Sequence, residues 1–573
     1  KWPKAFLPRK LKRHYNSKNP LSAGAYEFMV YWQIREHLKK GYISCRDSSC
    51  YRRLEDDVAS VIKWNDKKAR EKLLSELNID TLTTPIETIL ADLKTEITEL
   101  FEETNANILS GKNTNINYSK KDGVYTWTFP QKRNKDVFDN PFYNKLPHID
   151  ISTLLDFVDK RTGLFDCFVP LKSYNSKFKP NKSTIKGCII ANATGIGIYK
   201  MGELSDLIYH QLYDTQKQCV RLDNLKAAND KIVNAFAKLP IFKHYNVADK
   251  LLWANADGSK YKTRRKTFKS RHSRKYFALG QGLVSYTSVM NNIGIAGLQM
   301  GANEHESHYL HELINSNTTD LIINCMATDT EGSNRVNFPL LELSDIEYTP
   351  CYRSLSNKAE TMVSFKHPRY YQNDKCVIRP GKQVKEQLII DEWDNILPIL
   401  AASASKEIKP SIIVKKLSSH DYSSRTKEAL WEYNQLLMTR YLLNYINDPD
   451  LAGYVRTALN RGEAFHALKR SINGIRDGQY RGMSDREAAI WDECTRLVAN
   501  AIIFYNAYLL SILMEKKEAE GDHEAVAFIR KLSPIASQHI NLGGLYEFIG
   551  TTGAVDIEGT IELLDKLLNN SLL

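Results

Sequence analysis

The sequence predicts an α/β core laid out as three strands, a helix and a fourth strand, and three observations between residues 251 and 332 carry that prediction. Residues 251–256 (LLWANA) are a short apolar run that stops at Asp257-Gly258, a turn signal. Residues 282–291 (GLVSYTSVMN) and 293–300 (IGIAGLQM) are rich in β-branched and aromatic side chains and meet at Asn291-Asn292, as two strands of a meander would. Residues 320–328 (DLIINCMAT) read as a buried strand ending at Asp329, preceded by a helix to about Asn315 that Asn303-Glu304-His305-Glu306 would open as a capping box. This order is how a ribonuclease-H-like fold begins. Such a fold sets the ends of its first and fourth strands side by side, so Asp257 and Asp329 are expected to be neighbours. Two adjacent carboxylates make a hard-oxygen site suited to Mg2+.

A third carboxylate would close the site, and Glu463 is the leading candidate, on a helix expected over residues 452–473. Because 134 residues separate it from Asp329, a large inserted subdomain is expected over residues 356–447. A fifth strand is expected at residues 348–353, with insertion helices near 390–403 and 424–445. Trp393 and Trp431 lie in the insertion and are read as core side chains. Glu487 and Glu493 compete with Glu463. Glu487 stands three residues after Ser484, where a capping box opening a helix through about Lys516 already explains it. Glu493 sits beside Trp491 and Asp492 on a helix whose later turns are strongly apolar. His466 follows Glu463 by one turn and reads as a packing or phosphate-positioning side chain.

Positive charge collects beside the first aspartate. No acid occurs between Asp257 and Glu304, while Lys260, Lys262, Arg264, Arg265, Lys266, Lys269, Arg271, Arg274 and Lys275 crowd into sixteen positions. Arg461, Lys469 and Arg470 flank Glu463. Phosphate contacts of this kind supply affinity without sequence information, so these residues are candidate DNA-backbone contacts.

From the start, 573 residues are enough for three or four domains. The excess of 79 Lys and Arg over 67 Asp and Glu favours a polyanionic partner. Nine cysteines form no CxxC pair, which argues against a zinc module and for reduced thiols. Nothing at the start resembles a signal peptide, and a leading lysine suggests a portion of something longer. The longest apolar stretch, residues 498–513, carries Asn500, Asn506 and Ser511 and reads as a core helix, not a membrane span.

Five regions are expected: a basic arm and mostly helical scaffold over 1–185, the first part of the core over 186–355, the insertion over 356–447, closing helices over 448–520, and a helical tail over 521–573. The arm, residues 1–20, holds seven Lys and Arg, three prolines and no acid. Helices are expected from Ala23 to about Ala106, broken at Ser48-Ser49 and Thr83-Thr84-Pro85, then a strand at 124–129 and helix over 147–168. The polar connector 172–186 suggests the first boundary. Residues 191–200 (ANATGIGIYK) fail the dinucleotide pattern, because Lys200 stands where the last glycine is needed. A turn opening a helix suits them better, and a further helix is expected over 222–239.

Several segments also carry a resemblance. ADGSKY (256–261), KYFALGQGLVSYTSV (275–289), ATDTEG (327–332) and LNRGEAFHALKRSI (459–472) resemble the catalytic segments of the Tn-three family, the replicative DDE transposases of class II bacterial transposons. Flanking matches include YEFMVYWQIREHLKKGYISCRDSSCYR, ANATGIGIYKMGELSD and SPIASQHINLGGLYEF, so the resemblance runs from about Tyr26 to Phe548. It implies Asp257, Asp329 and Glu463 as catalytic and metal-binding residues. It further implies two Mg2+ per active site with Mn2+ able to substitute, 3′-end cleavage, and strand transfer into target DNA. The implied partners are transposon-end and target DNA, a homodimer on paired ends and a separate resolvase, with no membrane. The implied location is the bacterial cytoplasm, at the nucleoid when DNA-bound. Family members are longer chains whose N-terminal part recognises transposon ends. Two other readings remain: a metal nuclease of ribonuclease-H-like fold that cuts without joining, and a DNA-binding scaffold without chemistry.

Overall fold

In the computed structural model, five strands build the central sheet and one two-residue strand extends it. β1 (Trp253–Lys262), β2 (Gln281–Met290) and β3 (Ile293–Gly301) form an antiparallel meander, and α1 (Leu310–Asn315) follows. β4 (Cys325–Thr328) then pairs parallel with β1, and β5 (Glu347–Pro350) pairs parallel with β4. The resulting order is 3-2-1-4-5, with Arg271–His272 adding a short edge on β2. The structure describes residues 22–39, 51 and 54–571, except 122–123, 131–140, 172–180, 419–423, 475–478, 481 and 550–554, together with residues 3, 43, 45, 47 and 48. The expected basic arm lies almost wholly outside them.

Asn291 and Asn292 turn the chain between β2 and β3 with φ of 45° and 78°. Asparagine tolerates this left-handed region, and two such residues in succession match the twist of a hairpin. Asp257-Gly258, in contrast, is not a turn. β1 runs through both residues to Lys262 because β2 continues beside it, pairing Asp257 with Thr287 and Lys262 with Gly282. What ends near Asp257 is only the partnership with β4, which is four residues long where nine were expected. The capping box at Asn303 is also absent. The helix begins as a 3-10 turn at Glu306–His308 whose cap, His305, makes no side-chain cap bond, and Glu306 is committed to Lys260 at 2.8 Å.

Two helices pack against one face of the sheet, where the Ser285 hydroxyl of β2 bonds Lys469 of one and Asp492 of the other. α2 (Leu451–Asn473) packs on β1, β2 and β4. α3 (Asp485–Glu520) runs 36 residues, opened by Ser484, whose hydroxyl accepts the Glu487 N–H, and closed by Gly521 at φ 74°. It packs against β3 and the helices Leu222–Phe236, Lys182–Ala193 and Ile151–Thr162. α3 is long and apolar enough to cross a membrane, but 89% of its most apolar window is buried inside the protein, as befits a core helix. Residues 117–121 and 124–128 pair as an antiparallel hairpin, of which only the second strand was expected.

The chain divides into two compact units. One comprises Lys1–Asn105, Asn334–Ser344 and Ala359–Arg440; the other comprises Ala106–Ser333, Asp345–Lys358 and Tyr441–Leu573 and holds the sheet. Most of the expected insertion therefore shares a unit with the leading helices. Its helix Glu386–Ser405 packs against Leu54–Val61 and Lys67–Leu77. Trp393 is buried there with its ring edge-on to Tyr433 at 5.3 Å. Trp431 is half-buried, donates to the Leu417 carbonyl at 3.1 Å, and has Arg335 and Lys427 over its ring. The connector before Lys182 does not separate compact units, since both its flanks belong to the second.

Candidate active site

Register decides where the two aspartates stand. β1 and β4 pair from Trp253↔Cys325 to Ala256↔Thr328, so Asp257 and Asp329 are the next residue on each strand. Past Thr328 the chain turns away, with Asp329 capping the 3-10 turn Thr330–Gly332 by accepting the Gly332 N–H at 2.9 Å. The turn is tight enough that a Cβ on Gly332 would overlap Thr328. Asp257 accepts the Gly258 N–H through Oδ1 at 2.8 Å, and about a third of its side chain remains exposed.

Electrostatically Asp257 is pushed toward neutrality. Burial raises the Asp257 carboxyl to about 7, and the nearby carboxylates Glu306 and Asp329 push the same way, against the Gly258 N–H and Lys260. Glu306 lies so close under β1 that a side chain on Gly258 would overlap its carboxylate. The cap reading of Glu306 missed this neighbour; the small residue directly after Asp257 is the local sign of it. Lys260 pairs with Glu306 and lies over the Tyr276 ring at 4.7 Å, so Glu306 is already compensated. Among the described residues neither Asp257 nor Asp329 is paired with a lysine or arginine, and the His466 ring 3.8 Å from Asp257 is uncharged. A divalent ion fits this all-oxygen pair and would relieve its repulsion.

α2 lies along β1 in step with it. Asn255 donates to the Ala458 carbonyl, His466 Nε2 lies 3.2 Å from the Asp257 carbonyl oxygen, and Arg470 donates to Ser259 at 3.4 Å. Gly462 permits the approach, because a Cβ there would overlap the Asn255 amide. His466 is buried, and burial, then Lys469, depress its pKa to about 3. The ring is therefore neutral, and since a carbonyl only accepts, Nε2 carries the proton. Glu463 falls between the Gly462 and His466 contacts, exposed, with no hydrogen bond or ion pair among the described residues. Asp257 and Asp329 are brought together; Glu463 shares their end of the helix–strand contact without converging on them. Among the described residues no three His, Cys, Asp or Glu side chains stand close enough to hold a metal.

Its competitors are otherwise engaged. Glu493 is buried and paired with Arg496 at 2.5 Å, and Glu487 accepts the Met483 N–H at 2.7 Å at the start of α3. The candidate phosphate contacts divide in the same way. Lys262, Arg264, Arg265, Lys266, Lys269, Arg271 and Arg274 are exposed, with no ion pair among the described residues. Lys275 is exposed and 3.3 Å from Glu331. Arg470 is exposed, whereas Arg461 donates to the Tyr245 carbonyl at 2.5 Å. Lys469 is not on a surface a phosphate could reach: it is 1% exposed, bonded to Asp492 at 2.7 Å and Ser285 at 2.8 Å.

A 3-2-1-4-5 sheet, with an acid just past the last residue pair that joins its first and fourth strands, has the layout of a ribonuclease-H-like core. The family profile described as Tn3 transposase DDE domain matches residues 153–546, more than half of the chain, and the protein belongs to that family. A DDE domain implies divalent-metal use. Similar proteins include the transposase for transposon Tn1546 of Enterococcus faecium, 24% identical over 95% of this chain and 54% of the relative. The transposase for transposon Tn2501 of Escherichia coli shows the same identity and coverage. The transposase for transposon gamma-delta of Escherichia coli K12 is 26% identical over 74% of this chain and 42% of its own length. The chain thus spans about half the length of the curated relatives it matches.

Proposed function

We propose that the chain is the catalytic portion of a DNA transposase that cuts 3′ ends of transposon DNA and transfers the freed hydroxyls into target DNA. The observation that carries this is the register that sets Asp257 beside Asp329, in a chain of the Tn3 transposase DDE family. Asp257 and Asp329 would hold Mg2+, or Mn2+ in its place, two ions per active site, and Glu463 on the helix overlying β1 would supply the third carboxylate. Divalent cations bound there supply the Lewis acidity that an in-line phosphoryl displacement needs on its attacking and leaving oxygens. His466, neutral and buried, holds the β1 backbone at Asp257 and is a positioning residue. The exposed cations from Lys262 to Arg274 bind DNA phosphates and orient the duplex along the end of the sheet. Transposon-end and target DNA, a homodimer on paired ends and a separate resolvase are the partners of the whole process, which takes place in the bacterial cytoplasm.

The test is incubation of the chain and a transposon-end duplex with supercoiled plasmid and Mg2+. Joined products that vanish with excess chelator support the reading. Cutting without joining would make the protein a nuclease, and binding without cutting a scaffold.

A further inference from the structure

Phe268 and Leu279 are 85% and 98% exposed. A lone exposed apolar side chain is ordinary on a protein surface, but these two have unusual surroundings. Phe268 stands among the exposed cations running from Lys262 to Arg274, in a stretch without a single acid. The turn that carries it is tied down by hydrogen bonds. On either side of Phe268 and Lys269, Thr267 and Ser270 are buried and bonded to each other, with the Thr267 N–H on Ser270 Oγ at 2.8 Å and the Ser270 N–H on Thr267 Oγ1 at 3.2 Å. The Lys269 N–H is anchored to the Asp485 carboxylate at 3.1 Å. Arg271 donates to the Phe268 carbonyl, with its guanidinium 6.0 Å from the ring centre. The tip is fastened down all round, and the phenyl ring is left pointing into water.

Leu279 belongs to a second turn at the same end of the sheet, because Lys262 and Arg271 both pair with Gly282. Ala278, just before it, adopts φ 51°, a region that L residues rarely occupy, and the turn closes through the Gly280 N–H on the Phe277 carbonyl at 2.7 Å. Apolar side chains presented by a cationic surface are how many proteins open a base step: phosphate contacts bring the duplex in, and the wedge replaces base stacking with its own.

We propose that Phe268, aided by Leu279, is a wedge that enters the base stack of duplex DNA lying along the basic run. Five strand residues, about 17 Å, separate Asp257 from Lys262. The role of the wedge is to unstack and bend the duplex, holding it in place for chemistry at Asp257 and Asp329. The proposal rests on the DNA-processing reading above, and the two are separable by experiment.

Sealing nicked, random-sequence plasmid with DNA ligase in the presence of the full chain reads the wedge directly. Unstacking a base step unwinds the duplex and leaves a linking-number shift after sealing. Asp257→Asn in the background prevents cutting in the Mg2+ that ligase requires. At equal occupancy, set by filter binding, the parent chain shifts the topoisomer distribution. Phe268→Ala retains less than about a third of that shift, Phe268→Leu retains most of it, and Leu279→Ala is intermediate. Affinity and its salt dependence stay near the parent's, because the phosphate contacts remain. An equal shift from Phe268→Ala and the parent, or no shift by the parent at saturation, overturns the wedge while leaving metal-dependent cutting standing. Failure of the parent to bind plasmid at all overturns both readings.

Discussion

Asp257 and Asp329 each stand one residue beyond Ala256↔Thr328, the last parallel pair of two neighbouring strands. From there the strands part: β1 continues along β2 while the chain after Thr328 folds into the turn that Asp329 caps. Two carboxylates are thereby left side by side, with Glu306 close enough to add to their repulsion. That crowding, and the contacts that hold α2 to β1, have measurable consequences.

Stability and metal response should both depend on Asp257 between about pH 4 and pH 7. Its folded pKa, about 7, lies above the unfolded value of 3.8, so protonation favours the fold and the benefit is lost as pH rises through 7. A divalent ion binds the ionised form and reverses the effect. Mg2+ should raise the thermal midpoint more at pH 8 than at pH 6, and Asp257→Asn should abolish that difference. Scanning fluorimetry of both proteins at the two pH values checks this.

Replacing Arg264, Arg265, Lys266 and Arg274 with glutamine should weaken binding to all DNA sequences alike. The slope of log affinity against log salt should flatten by about 0.9 for each phosphate that is no longer neutralised. Unchanged affinity and slope in a salt titration would show the run to be an idle solvated face.

Lys469→Met should destabilise strongly, by about 3–5 kcal/mol, because it strands Asp492 without a partner in the interior. The double change Lys469→Met with Asp492→Leu should recover much of the loss. Urea denaturation of the two variants and the parent makes the comparison.

Gly462→Ala should behave against helix propensity. Alanine in mid-helix ordinarily stabilises by about 1 kcal/mol relative to glycine. Here its Cβ would overlap the Asn255 amide, so α2 must lift from β1. Both the urea midpoint and strand cleavage should fall, and a stabilised, fully active variant would show that the helix need not lie so close.

The β2–β3 hairpin was legible in the sequence because its evidence is local: β-branched alternation on either side of two residues that tolerate positive φ. The succession of strands along the chain followed from the same local signals, whereas the pairing of the first strand with the fourth came from the fold class that this succession suggests. Asp257-Gly258 was misleading because a turn signal says nothing about how far the neighbouring strand extends, and β2 carries β1 past it. Glu306 matched a cap by spacing, but its carboxylate goes to Lys260, a partner 46 residues away. Lys469 looked like a surface cation for the same reason: Asp492, which allows its burial, comes from a different helix. The grouping of 359–440 with the leading helices was equally invisible, since nothing local links segments so distant in sequence.

The central claim is that Glu463 completes an acidic site with Asp257 and Asp329, and Glu463→Gln tests it most directly. The substitution keeps size and hydrogen bonding but removes the charge from an exposed side chain. In the Mg2+-dependent plasmid assay it should abolish both cleavage and joining, with DNA affinity and thermal midpoint unchanged. Glu487→Gln should cost at most about 1 kcal/mol of stability and leave the chemistry near normal. Cutting by the Glu463→Gln protein, with its loss in Glu493→Gln instead, would contradict the account.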